Sequence, residues 1–252
     1  MANSRTSVVD EHLLMKTRPP ARFGHEFLRW LRLETEEAWA GVHEDPPDEH
    51  RIGPSWTRGT RWRRGLSDLE IARIQNEWRL DLPTDYRLFL SELYTTDRPP
   101  IVAQGTSGAR EGVTFTVWTG DRSPIDSAIN EPFRGLMEDI EATEYWLPSW
   151  GPRPKNRSGR AKVLEAEAQK APRLVPVLGN RYLLAIGSAT ESAVLSIYGA
   201  DIVELAPNLR DYLLFELRGV LGGPETPDRA ETRTSTASLW GDVLAHPAGF
   251  RR

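Results

Sequence analysis

Two hairpin signals in the second half of the chain limit its fold more than any other feature. In each signal, two short apolar runs flank a turn that contains glycine: 174–178 and 182–186 around Gly179-Asn180, and 194–198 and 202–205 around Gly199-Ala200-Asp201. Strands joined by so few residues must run antiparallel, because a parallel pair needs a connection of roughly a dozen residues or more. The sequence therefore predicts an antiparallel meander in this region.

Helical periodicity marks the first half of the chain. Phe23, Phe27, Trp30 and Leu31 recur at the spacing of one helix face, which predicts an amphipathic helix that extends to about Ala38. A helix of this kind buries its apolar stripe against other elements, so these residues are candidates for a core.

Two further helices are predicted between residues 67 and 93. Ser67 and Glu70 form the Ser-x-x-Glu pattern of a capping box, and Pro83 is suited to the start of a helix. Apolar residues then recur on one face of each helix: Ile71, Ile74 and Trp78 in the first, and Tyr86, Phe89, Leu90 and Leu93 in the second. We expect these two helices to pack near each other.

The period changes in the middle of the chain. Val113, Phe115 and Val117 alternate with Thr114, Thr116 and Trp118, which predicts a strand with one buried face. After the two hairpins, Asn208 can cap a final helix that runs to Leu217. The order is helices, then strands, then a helix. It predicts the α+β class, with an antiparallel β-sheet meander flanked by helices in a single main domain.

These elements divide the chain into three parts. Residues 1–55 are predicted to be an N-terminal extension with one amphipathic helix, and residues 56–222 the α+β domain. Residues 223–252 are rich in proline, threonine, serine and charge, so we expect a flexible C-terminal tail. Within this tail, residues 239–244 have the composition of a short docking helix.

Residues 146–154 hold two tryptophans, one glycine and three prolines. Each proline removes a backbone donor and fixes φ, so this segment cannot form a regular α-helix. The composition predicts an extended, rigid loop that carries indole rings.

Composition favours a soluble protein of the cytoplasm. The chain has 252 residues, a hydrophobic content of 39%, no cysteine and a formal net charge of −4. It contains no apolar run long enough to cross a membrane, and its first residues lack the apolar stretch of a secretory signal. The absence of cysteine fits a reducing compartment. The acidic balance argues against a surface that binds nucleic acid directly.

Charge is clustered along the chain. Seven carboxylates and no basic residue lie in 34–49, whereas five arginines and no acid lie in 51–64. Residues 111–144 hold eight acids against two arginines, and residues 153–173 hold seven basic residues against two acids. One interpretation is a set of solvated faces that partly neutralise one another. The other is a charged recognition surface.

The predicted core lacks the residues of common catalytic chemistry. The chain has no cysteine, and its histidines lie outside residues 66–218: His12, His25, His43, His50 and His246. The usual general base, nucleophiles and zinc ligands are therefore missing there, and no phosphate-loop motif occurs. We expect no cofactor, no metal and no enzymatic activity. A carboxylate cluster at Glu138, Asp139, Glu141 and Glu144 leaves a Mg²⁺ site or an acid–base pair as the alternative.

Four motifs make the chain resemble the SMI1/KNR4 (SUKH) superfamily over roughly Trp56 to Leu217. In order, the motifs are Leu82-Pro83-x-Asp85-Tyr86-Arg87-x-Phe89-Leu90, an acidic and aromatic stretch from Leu136 that ends in Trp150-Gly151-Pro152-Arg153-Pro154, then Pro176-x-x-Gly179-Asn180-Arg181-Tyr182, and Ser196-Ile197-Tyr198-Gly199-x-Asp201. The chain departs from the family in its first sixty residues, in its tail, and in the loose match of its acidic stretch.

The resemblance implies a non-enzymatic immunity protein of the bacterial type. Such a protein binds and neutralises a cognate toxin domain, often a nuclease or deaminase. An acidic patch would steer a basic toxin, and aromatic residues would anchor it. The partner-binding residues that we infer on this basis are Trp118, Glu138, Asp139, Glu141, Glu144, Tyr145, Trp146, Trp150 and Arg153.

Other interpretations stay open. The tryptophans can be core packing, and Arg153 can brace the loop through a carboxylate. The fungal branch of the family implies an intracellular scaffold or regulatory module, in which the segments 1–55 and 223–252 would be the interaction segments. An enzyme that uses carboxylates alone is the third possibility.

Overall fold

A computed structural model describes residues 18–42, 55–103, 109–186, 192–222 and 239–246. The helices are α1 His25–Ala40, α2 Asp68–Trp78, α3 Thr84–Glu92, α4 Arg122–Ala142, α5 Arg157–Lys170, α6 Leu209–Glu216, α7 Arg218–Leu221 and α8 Leu239–Ala245. The strands are β1 Ile101–Ala103, β2 Ala109–Glu111, β3 Leu174–Leu178, β4 Arg181–Leu184, β5 Val194–Tyr198 and β6 Asp201–Ala206.

The main sheet is the predicted antiparallel meander, and the α+β class is confirmed. Its strand order is β3-β4-β5-β6, and every neighbouring pair is antiparallel. Gly179 and Gly199 stand in the two predicted turns with φ of 55° and 59°, in the left-handed region that favours glycine. A smaller sheet pairs β1 with β2.

The sheet separates two apolar cores, because alternate residues of a strand point to opposite faces. One core contains Val175 and Val177 of β3 with the apolar faces of α1, α2, α3 and α6. The other contains Leu174 of β3 with residues of α4, α5 and α8. Both faces of β3 are covered, so all five of its residues are buried.

The helices predicted in the first half are present. Phe27, Leu28, Leu31 and Trp39 of α1 are fully buried, so residues 25–40 form part of the first core. At the start of α2, the Ser67 amide donates to the Glu70 carboxylate and the Glu70 amide donates to Ser67 Oγ, as a capping box requires. The helix predicted from Asn208 is also formed, and it is capped by that side chain.

The strand predicted at 113–118 is wrong. This segment makes a single bridge to β3, between Phe115 and Leu178. Val113 and Val117 are exposed, whereas Phe115 and Trp118 are buried, so the alternation does not mark one buried face. A single bridge does not hold the neighbouring residues in a strand conformation, so their side chains need not point to alternate faces.

The sequence did not predict α4 or α5. Pro132 lies inside α4, where it cannot donate to the carbonyl of Ala128 four residues earlier. Tyr182 of β4 supplies the missing donor, since its hydroxyl donates to the Ala128 carbonyl at 3.0 Å. In α5 only Leu164 is buried, so this helix has no apolar stripe to reveal it.

Several predictions fall on other parts of the chain. Apart from residues 239–246, the predicted flexible tail lies outside the described residues, as do residues 1–17 and 43–54 of the predicted N-terminal extension. The docking helix predicted at 239–244 is present as α8, in which Leu239, Trp240 and Val243 are buried.

Within the described ranges, none of the helices is both long and apolar enough to cross a membrane.

Candidate functional site

Most of the predicted partner-binding residues lie together where α4 ends. Glu138, Asp139 and Glu141 belong to the last turns of α4, and residues 144–153 form the loop that leads to α5. In that loop, Pro148–Trp150 forms one 3₁₀ turn, which tolerates Pro148 because the first residue of a helical turn needs no donor. We call this region the α4 corner, defined by residues 138–153.

Arg153 closes the carboxyl end of α4. Its Nη2 atom donates to the carbonyl oxygens of Ile140 at 2.6 Å and Thr143 at 3.0 Å, which have no partner inside the helix. Its Nη1 atom donates to Glu144 Oε2 at 3.0 Å. A guanidinium here also complements the negative end of the helix dipole. Arg153 therefore fixes the loop to the helix.

Replacing Arg153 by alanine should lower the free energy of unfolding by about 2–3 kcal/mol, because charge-assisted bonds to partly buried carbonyls are lost. Arg153→Lys should recover only part of this loss, since a single ammonium group cannot reach all the acceptors that the two guanidinium nitrogens bind. Urea unfolding measures both. Arg157→Ala, at the exposed start of α5, is the control and should stay within about 0.5 kcal/mol. Equal losses for Arg153→Ala and Arg157→Ala would contradict the capping role.

Asp139 joins α4 to the β5–β6 turn. Its Oδ2 atom accepts a hydrogen bond from the Ala200 amide at 2.7 Å. A Cβ atom on Gly199 would lie 1.9 Å from the same oxygen, so the turn approaches the carboxylate as closely as glycine allows. Asp139 is thus committed to an internal contact.

Glu141 is paired with Arg160 of α5. The Arg160 guanidinium donates to both carboxylate oxygens, at 2.7 and 2.6 Å, and it also donates to the carbonyl of Pro154 at 3.1 Å. Hydrogen bonding to Arg160 holds the pKa of Glu141 below its usual value. This bidentate pair ties α4 to α5 and neutralises one charge of the predicted acidic patch.

The aromatic residues of the α4 corner pack around Trp150, which is buried. Its ring makes edge contacts with Trp146 at 5.2 Å and Tyr145 at 6.1 Å between centroids. Trp146 Nε1 donates to the Gly151 carbonyl at 2.8 Å, and the Tyr145 hydroxyl donates to the His246 carbonyl at 2.9 Å. Burial raises the pKa of Tyr145 to about 12. Tyr145 therefore links the corner to α8.

Trp118 lies apart from the α4 corner, in the first core. It is 4% exposed, and its Nε1 atom donates to the hydroxyl of Tyr86 at 2.9 Å. That hydroxyl in turn donates to the carbonyl of Pro176 in β3 at 3.2 Å. Trp118 and Tyr86 therefore connect α3 to the sheet, and Trp118 has little surface to offer a partner.

Only some of the predicted partner-binding residues in the α4 corner remain open to solvent. Glu138 is exposed, and the Glu144 side chain is 96% exposed beside Arg153. Trp146 is partly exposed. The structure thus places an acidic pair and one indole at the surface, while Asp139, Glu141 and Trp150 serve internal contacts.

Comparison with known proteins adds no relative. No protein-family model, curated protein or solved structure matches the chain. The site must therefore be interpreted from its own chemistry. Among the described residues, no group of three or more histidine, aspartate or glutamate side chains is arranged to hold a metal ion. Asp139 and Glu141 instead turn to separate partners, an amide and a guanidinium.

The four sequence motifs contact one another in the folded chain. Hydrogen bonds join one motif to another. They include the Tyr86 hydroxyl to the Pro176 carbonyl at 3.2 Å, Arg181 Nη1 to Ser196 Oγ at 2.9 Å, and the Ala200 amide to Asp139 Oδ2 at 2.7 Å. The motif residues therefore hold elements of the fold together.

Sequence reasoning missed Arg160 and Tyr182. Arg160 is hidden in a basic run, and only its position on α5, facing Glu141, distinguishes it. Tyr182 belongs to one of the motifs, but its role follows from Pro132, whose missing donor it replaces.

Proposed function

We propose that this chain is an immunity-type protein of the SMI1/KNR4 (SUKH) kind. It acts in the cytoplasm without enzymatic chemistry, by binding a cognate toxin domain and blocking it. A nuclease or deaminase domain is the expected target. The observation that carries the proposal is the set of hydrogen bonds between the motifs, because they give every motif behind the resemblance a place in one α+β architecture.

The α4 corner supports the binding role because it is braced before any partner arrives. Arg153 ties its loop to the end of α4, Arg160 ties it to α5, and Asp139 ties it to the β5–β6 turn. A preorganised surface loses less conformational entropy when it binds. Its open side chains, Glu138, Glu144 and Trp146, offer charge to a basic toxin and one aromatic anchor.

The first test identifies the partner and then its effect. The tagged chain is used to capture proteins from its own cell lysate, and mass spectrometry identifies them. We expect a large secreted protein held through its C-terminal domain. Expression of that domain alone should stop growth, and co-expression of this chain should restore it. Capture of housekeeping or signalling proteins only, or a domain that does not inhibit growth, would contradict the proposal.

A charge reversal tests the surface. Glu138→Lys combined with Glu144→Lys should slow association with a basic toxin domain by about tenfold or more at low salt, and should weaken its salt dependence. Stability should fall by no more than about 1 kcal/mol, since both carboxylates are exposed and the Glu144–Arg153 ion pair that is lost lies at the surface. Surface plasmon resonance measures the rates. Glu26→Lys with Asp81→Lys makes the same charge change elsewhere, and an equal effect from that pair would show that only net charge matters.

The scaffold alternative requires free interaction segments at both ends of the chain. In the described part of the N-terminal extension, α1 buries Phe27, Leu28, Leu31 and Trp39 completely. Its apolar face is therefore occupied by the chain's own core. This observation favours the immunity-type proposal over a scaffold that recruits partners through α1.

A further inference from the structure

A row of arginines lies on the surface beside the first core. Residues 61–63 pair antiparallel with 95–97: the Arg63 amide donates to the Thr95 carbonyl at 2.7 Å, and the Asp97 amide donates to the Arg61 carbonyl at 2.9 Å. Trp62 points inward and is buried, so Arg61 and Arg63 share the outer face. Together with three neighbouring exposed side chains they form what we call the arginine ridge: Arg58, Arg61, Arg63, Arg64 and Arg98.

The arginine ridge keeps an excess of positive charge. Arg98 is paired with Asp97 at 3.1 Å, and Arg64 lies 3.5 Å from Glu70. Asp97 is further occupied by the Arg61 amide at 3.0 Å. For the other guanidinium groups of the ridge, the described residues supply no carboxylate within ion-pair distance.

A cleft of about 560 Å³ opens next to the ridge. Arg63 and Arg98 line it together with Asp97 and Asp121, and Val113, Val117 and Ile125 contribute apolar walls. Val113 is 56% exposed and Val117 is 36% exposed, on either side of a residue that is buried. Exposed apolar side chains bordered by charged residues are typical of a contact surface.

We propose that the arginine ridge and this cleft bind an extended acidic segment of a partner protein. Carboxylates of the segment would pair with Arg61 and Arg63, whose planar groups bind carboxylates in a bidentate manner. Its apolar side chains would cover Val113 and Val117. This surface is separate from the α4 corner and opposite to it in charge, so the inference does not depend on the immunity assignment.

A protein segment fits better than a nucleic acid. A phosphodiester backbone would use the guanidinium groups but would leave Val113 and Val117 in contact with polar atoms. An acidic peptide with alternating apolar residues can pair with the arginines of the ridge and also cover Val113 and Val117.

Fluorescence anisotropy tests the proposal with defined probes on the full chain. The probes are a labelled peptide in which valine and glutamate alternate, a peptide with serine in place of valine, a peptide with lysine in place of glutamate, and a single-stranded DNA of equal charge. We expect the valine–glutamate peptide to bind most tightly. Arg61→Glu with Arg63→Glu should weaken it by about tenfold or more, since two charge-assisted contacts are lost.

Two further variants test the apolar contacts of the cleft and the effect of a charge change outside the ridge. Val113→Ser with Val117→Ser should weaken the valine–glutamate peptide but leave the serine–glutamate peptide unchanged. Arg73→Glu with Lys162→Glu makes the same charge change on α2 and α5 and should have little effect. Circular dichroism confirms that each variant is folded. Tighter binding of the DNA, or no ridge-dependent binding of the valine–glutamate peptide, would overturn the proposal.

Discussion

Replacing Trp62 by alanine should lower the free energy of unfolding by about 3–5 kcal/mol, as large aromatic truncations in a core do. Trp62 is 5% exposed, and its ring lies 5.7 Å from Trp39, 6.0 Å from Phe89 and 5.2 Å from Phe115, between centroids. These rings belong to α1, α3 and the segment beside β3. The substitution therefore opens a cavity where three parts of the first core meet.

The hydrogen bond of Trp62 can be separated from its packing. Its Nε1 atom donates to Thr35 Oγ1 at 2.9 Å, inside the core. Trp62→Phe keeps most of the ring contacts but loses this bond, so it should cost about 1–2 kcal/mol. Urea unfolding followed by far-ultraviolet circular dichroism gives both values. If the phenylalanine variant were as unstable as the alanine variant, the hydrogen bond rather than the packing would dominate.

The burial of Trp62 also bears on the domain boundaries drawn from the sequence. Thr35 and Trp39 belong to the segment that the composition assigns to an N-terminal extension, yet both contact Trp62. A linker-like stretch of prolines and charges separates α1 from Trp62 in the sequence. Composition reports how polar a segment is, but it does not report which elements the segment brings together.

Local signals predicted the parts of the fold that depend on local physics. The capping box at Ser67 and the glycine turns at 179 and 199 satisfy backbone groups within a few residues, so the sequence reveals them directly. α4 is different. Its internal proline is tolerated because Tyr182, about fifty residues away, supplies the missing donor. No window of sequence around Pro132 contains that information.

Contacts between residues that are distant in sequence also determine how much charge the candidate site exposes. In sequence, Glu138, Asp139, Glu141 and Glu144 form one acidic cluster within seven residues. In the structure, Asp139 and Glu141 are matched by groups from the β5–β6 turn and from α5. Because α5 lacks an apolar stripe, the sequence did not indicate that Arg160 faces α4. A cluster of charge in sequence therefore overstates the charge that a partner meets.

In the arginine ridge, by contrast, most of the charge that is clustered in sequence stays unpaired among the described residues. Its residues alternate with Trp62 along an extended segment, so the indole turns inward and the arginines turn outward. Few carboxylates of the described chain reach them. Of the two interpretations of clustered charge, neutralisation accounts for Asp139 and Glu141 inside the α4 corner. A recognition surface suits the ridge and the exposed Glu138 and Glu144 of the corner.

Gly65 carries the second large effect, because it lies between the arginine ridge and α2. A Cβ atom there would lie 1.8 Å from the carbonyl oxygen of Ser91 and 2.3 Å from its carbonyl carbon. The adjoining Leu66 amide donates to the Leu90 carbonyl at 2.8 Å, which holds the two segments in this close approach. Main chain of α3 cannot move aside as a flexible side chain can. Gly65→Ala should therefore cost about 3 kcal/mol or more in the free energy of unfolding.

A matched control makes this prediction specific. Gly41→Ala adds the same methyl group at the end of α1, where the nearest atom would be 3.6 Å away, so it should change stability by less than about 1 kcal/mol. Thermal and urea unfolding compare the two variants. Since the displaced segment carries Arg61 and Arg63, Gly65→Ala should also weaken peptide binding at the ridge in the fraction that stays folded. A stable Gly65→Ala variant with unchanged binding would show that α3 and the ridge can separate without loss, and that the ridge is not held in place by this contact.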